Sequence, residues 1–156
     1  MRRINTVILG GLLAGLFDIT DAFIVFSLKG SKFLSIAQAI AAGILGNDAF
    51  RGGIPTFLLG LGLHFAMAVV MALVFYAGAR AIPLIRKHLL AFGALYGLGL
   101  YGVMNWLVVP MSNFRHGQYP PFPPVPDLML LNGLFCHVVL VGLTIALFTR
   151  KALQSK

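Results

Sequence analysis

The chain has 156 residues, of which 59% are hydrophobic and 10% charged, against about 25% charged in soluble globular domains. That composition excludes an ordinary soluble domain and points to an integral membrane protein. Twelve Lys and Arg against four acidic residues, all Asp, give a net charge of +8; the basic residues sit at the ends of apolar runs, so they set orientation in a bilayer and exclude nucleic acid as the partner.

A membrane-crossing helix needs about 20 mainly apolar residues. Four runs qualify: residues 6–28, 54–79, 89–110 and 128–149. The first, "MRRINTVILGGLLAGLF", has the basic start of a secretory signal, but its apolar character continues to Leu28 without a small-residue cleavage site, which predicts an uncleaved span. Its centre carries Asp18 and Asp21 within "GLFDITDAF".

The next segment, "SKFLSIAQAIAAGILG", repeats Phe33, Ile36, Ile40 and Ile44 at helical spacing, with Ser31 and Gly46 in cap and stop positions. It predicts an amphipathic helix over about residues 32–46, roughly 24 Å long and short for a span. Two placements stay open: flat in the outer interface, or re-entrant and packed into the bundle through Ala37, Ala41, Ala42 and Gly43.

After the second and third runs comes "MSNFRHGQYPPFPPVPD". Its prolines from Pro120 to Pro126 predict an extended strap over the helix ends, with Tyr119 and Phe122 at headgroup level. Asp127 is the expected cap of the last helix. The single cysteine, Cys136, lies in the last apolar run, where no intramolecular disulfide is possible and simple packing is expected.

Eight basic residues fall on the side of Arg2, Arg86 and Arg150, and four on the side of Lys29 and Arg115. Both termini are therefore expected in the cytoplasm. The fold class predicted is an all-α integral membrane domain over residues 1–156: an antiparallel four-helix transmembrane bundle with one extra amphipathic or re-entrant helix in the first outside loop. The halves also echo each other. "GLFDITD" aligns with "GLYGVMN" and "GLGLH" with "GLFCH", a pattern expected of two parallel repeats of two spans.

At 100° per residue, Gly11, Ala14, Gly15, Asp18 and Asp21 share one face of the first helix. Gly60, His64, Ala68 and Phe75 share one on the second, Ala94, Leu98, Tyr101, Gly102 and Asn105 one on the third, and Gly133, His137, Val141, Thr144 and Phe148 one on the fourth. Small residues let helices approach closely in a membrane, so these faces should point at one another. At 1.5 Å per residue, Asp18, His64 and His137 lie about 14 to 15 Å below the outer ends of their runs, with Asp21 about 10 Å and Asn105 about 8 Å in.

The predicted site is thus an intramembrane polar cluster of Asp18, Asp21, His64, Asn105 and His137. An Asp at the centre of a membrane helix costs about 2.5 to 3.5 kcal/mol on insertion scales. Two of them predict one shared or donated proton, with His64 or His137 as partner. The cluster can tie the helices together by hydrogen bonds, each worth about 0.6 to 2 kcal/mol. It can also serve a proton or ion pathway, or hold a haem or metal between His64 and His137, each of which has a glycine one turn earlier. No haem motif is present, so no cofactor is the leading expectation. With no serine in the deep core and no H-E-x-x-H, no enzyme is expected.

"GLFDITDAF", "AIAAGILGNDAFRGG", "LGLHF", "YGVMNWLVVP" and "GLFCH" together resemble a family of uncharacterised bacterial four-span inner-membrane proteins over nearly the whole chain. The resemblance implies a bacterial inner-membrane location and four spans, and carries no catalytic role. The expected function is therefore a small structural or accessory membrane protein whose polar cluster handles protons, the alternatives being an ion-coupled transporter or channel and a bis-histidine electron carrier. Its partners would be the lipid bilayer and a second copy or a membrane complex, since a thin four-helix wall forms a pathway more easily at a dimer interface.

Overall fold

The computed structural model describes residues 3–114 and 126–154, and every described element is helical. In chain order these are α1 (Arg3–Leu28), α2 (Phe33–Leu45, continued by a 3-10 turn over Gly46–Arg51), α3 (Gly53–Ala81), α4 (Pro83–Lys87), α5 (Leu89–Met111) and α6 (Leu128–Gln154). Most of the proline strap, including Tyr119 and Phe122, lies outside the described residues.

Five helices are long and apolar enough to cross a membrane: α1, α2 with its extension, α3, α5 and α6. That is one more than the four apolar runs, because the 3-10 turn lengthens the second helix to 19 residues.

Local chemistry sets the helix ends. The chain leaves α1 through Gly30 at φ 88°, a left-handed conformation that lets the Ser31 N–H return to the Phe26 carbonyl at 3.0 Å. Ser31 therefore closes α1 rather than capping α2, whose cap position is Lys32 without a side-chain bond. Asp127 caps α6, its Oδ1 accepting the Leu130 N–H at 2.7 Å.

Helix α1 lies between α3 and α6; α2 leans on α3 from outside, and α5 leans on α6. The neighbours of α1 run antiparallel to it. Gly11 rests on the Val69 backbone and Gly15 on Ala68, so the Gly-xxx-Gly face of α1 meets α3. Gly97 lies against the His137 carbonyl and Gly142 against the Gly93 carbonyl, which brings α5 and α6 into backbone contact. Gly60 likewise lies against the Ala37 carbonyl of α2. The α2 residues Ala37, Ala41 and Ala42 are fully buried.

Side chains secure this last contact. The Gln38 amide donates to the Gly53 carbonyl at 3.0 Å and to Thr56 Oγ1 at 3.2 Å, while Thr56 Oγ1 donates to the Ala49 carbonyl at 2.6 Å. Phe23, Phe33 and Phe57 stack where α1, α2 and α3 meet, the first pair with ring centroids 4.3 Å apart. A second apolar core, with Val7, Phe75, Leu100 and Ile145, fills the end of the bundle nearer the termini.

Both α5 and α6 contain a π-helical stretch, Met104–Val108 and Cys136–Leu143 respectively. A π turn takes in an extra residue, so faces drawn at a constant 100° shift across it. On α6 the buried stripe continues through Ile145, Ala146, Thr149 and Ala152 rather than Thr144 and Phe148. On α5 the buried stripe runs through Gly93, Gly97, Leu100 and Tyr101, all ahead of the π stretch, and the expected Leu98 lies off it and exposed.

Candidate functional site

Asp18 projects from the small-residue face of α1 into the junction with α3 and α6. Its Oδ1 accepts the Cys136 thiol at 3.0 Å, and its Oδ2 stands 3.8 Å from His64 Nε2. The His64 ring is buried, and its Nε2–H donates to the Gly15 carbonyl at 2.8 Å. A carbonyl can only accept, so Nε2 carries the hydrogen and the imidazole presents its N–H edge to α1.

One turn outward, Asp21 Oδ2 accepts the Asn132 amide at 2.8 Å. Asp18 with Cys136 and Asp21 with Asn132 are therefore two rungs between antiparallel helices. The two carboxyls have different partners. They do not share a proton with each other across these bonds.

His137 and Asn105 turn toward their own helices. His137 Nδ1–H donates to the Gly133 carbonyl at 3.0 Å, with Tyr101 edge-on to its ring at 5.4 Å. Asn105 Nδ2 donates to the Tyr101 carbonyl at 2.9 Å. His137 still borders the central space: a cavity of about 50 Å³ is lined by Asp18, His64, Met67, Met71, Met104 and His137, among others. Of the five expected residues, Asp18, His64 and His137 surround one cavity; Asp21 forms the outer rung and Asn105 bonds within α5.

Two participants escaped the sequence reading, Cys136 and Asn132. Their signal was spacing: Asn132 and Cys136 are one turn apart on α6, as Asp18 and Asp21 are on α1.

A volume of about 50 Å³ has room for a water molecule or a single ion, and a haem between the two histidines does not fit. A small cation has suitable donors, since Asp18, Cys136 and His137 each offer one ligand atom, all within 4.8 Å of one another. A larger, open crevice of about 300 Å³ between Ile44, Asp48 and Asn113 lies away from this cluster. There Asn113 Nδ2 donates to the Ile44 carbonyl at 2.8 Å and fastens the end of α5 to α2.

Comparison with family models, with curated proteins and with solved structures finds no match to this chain. The side-chain geometry alone carries the functional interpretation.

Proposed function

We propose that the chain is a small accessory protein of the bacterial inner membrane, with α1, α3, α5 and α6 as spans, α2 as a re-entrant helix and both termini in the cytoplasm. Its Asp18-centred cluster handles a cation, protons first. The membrane assignment is supported by the outer helix faces, where Leu12, Phe17, Ile24, Leu58, Val70 and Leu95 are all exposed. The re-entrant placement is supported by the burial of Ala37, Ala41 and Ala42 against α3.

One observation carries the cation reading. Asp18, half-buried on an apolar helix, faces a histidine and a thiol from two other helices, and has no Lys or Arg in any of the four apolar runs to neutralise it. An unpaired carboxylate in such surroundings is costly, so a cation has to neutralise it when it is charged. The Cys136 thiol already donates to Asp18 Oδ1, so Oδ2 is the oxygen left to take up and release a proton, on the side of His64 and the cavity. A second copy in the membrane would complete a pathway that one thin bundle leaves short.

The test is proton flux into liposomes carrying the purified protein and a trapped pH dye. Wild type should collapse an imposed gradient faster than empty liposomes, Asp18→Asn should lower that excess at least about tenfold, and Asp21→Asn should retain most of it. Equal flux in wild type and Asp18→Asn would remove Asp18 from any pathway. A second reading, a purely mechanical tie, draws on the hydrogen bonds made by Asp18, Asp21, His64, Asn105 and His137. It predicts a lower melting temperature for Asp18→Asn with flux at background throughout.

A further inference from the structure

The cavity beside Asp18 has a wall that proton handling does not use. Met67 and Met71 lie one turn apart on α3, on the same side as His64, and Met104 faces them from α5. Three methionines thus line a space of about 50 Å³ that also meets Asp18 and His137. Cys136 Sγ, a His137 ring nitrogen and an Asp18 oxygen lie within 4.8 Å of one another, and Asp18 and His137 link this trio to the cavity. His137 donates Nδ1–H to the Gly133 carbonyl, which leaves Nε2 as the free donor and fixes the ring in the way metal-bound histidines are held. Cys136 and His137 are the first two residues of the π-helical stretch of α6, and both bring a ligand atom near Asp18 on α1.

We propose that this pocket is a binding site for monovalent copper. Cys136 Sγ, as thiolate, and His137 Nε2 are the primary ligands, the methionine sulfurs complete the shell, and Asp18 takes up the proton that the thiol gives up. Thiolate and thioether donors select Cu(I) among biological metals. The proton balance closes without an oxidant or reductant: Cu(I) forms a bond to Cys136 sulfur, the S–H bond breaks, and the proton passes along the existing hydrogen bond to Asp18 Oδ1. The site then holds a cuprous ion, a thiolate and a neutral carboxylic acid, with no net charge in the apolar interior. Zn(II) would use the thiolate, imidazole and carboxylate but has no use for thioethers, so the methionines distinguish the two metals.

The site shares Asp18 with the proton reading, but binding is read without any ion gradient and is decided separately from flux. Full-length protein in detergent is titrated anaerobically with Cu(I) against a chromogenic Cu(I) chelator, and in parallel with Zn(II) against a zinc indicator. The expected result is one Cu(I) per chain, weakened roughly tenfold or more by Cys136→Ser and by Met67→Leu/Met71→Leu, with Met111→Leu, at the exposed end of α5, unchanged. The double methionine variant conserves side-chain volume and keeps the test valid should Cys136→Ser fail to fold. Retention of no copper by wild type, or copper affinity unaltered in the double methionine variant, overturns the proposal. Zn(II) bound more tightly than Cu(I) overturns it as well.

Discussion

The α1/α3 pair and the α5/α6 pair carry matching letters and join by different means. In the first, His64 reaches across to the Gly15 carbonyl and toward Asp18 on α1. In the second, His137 and Asn105 bond carbonyls of their own helices, and the contact between helices is backbone on backbone at Gly93, Gly97 and Gly142. The π stretches also belong to the second pair alone among the described residues. Equivalent positions in an internal match need not do equivalent work: His64 bonds a carbonyl of the neighbouring helix, whereas His137 bonds one of its own.

That contrast can be broken most severely at the backbone contact. Gly97→Leu would drive a side chain into the His137 carbonyl and Val138 Cα, costing about 3 kcal/mol or more; Gly99→Leu, where an added Cβ meets nothing within 4 Å, should leave thermal unfolding in detergent unchanged. Equal losses at both glycines would show that α5 and α6 are not joined in this way. Next in size is His64→Ala, which strips Asp18 of its facing ring and should cost about 2 kcal/mol, against about 1 kcal/mol for His137→Ala. The same melting series decides it, and a reversed order would exchange the roles of the two histidines. The smallest effect belongs to the outer rung: Asn132→Ala should cost about 0.6 kcal/mol, and Asp21→Asn less, since an amide oxygen still accepts the bond.

Much of the fold was legible because apolar runs and small-residue spacing survive into packing directly. Gly11, Gly15, Gly60, His64 and Ala68 all meet a neighbouring helix. What failed was angular bookkeeping over long helices. Asn105 and His137 both sit in π stretches, and a constant 100° step carried across such a stretch misplaces everything beyond it, which is how Thr144 entered the predicted face of α6; Leu98 precedes the π stretch of α5 and simply lies beside the buried stripe of Gly97 and Tyr101. Cys136 was read as filler because a lone thiol among apolar residues has no pattern of its own. Only the matched one-turn spacing of Asp18/Asp21 and Asn132/Cys136 in antiparallel helices identifies the rungs, and that pairing requires knowing that α1 neighbours α6.

The Gln38 contact also says something about order in time. Its partners, the Gly53 carbonyl and the Thr56 hydroxyl, lie 15 and 18 residues further along the chain, so during synthesis from the N-terminus the 13-residue α2 emerges before its anchor exists. Until the first turn of α3 has been made, the Gln38 amide lacks both of these partners. The packed position of α2 against α3 can be secured by these bonds only once that turn arrives, which makes α2 the early-made element that settles late.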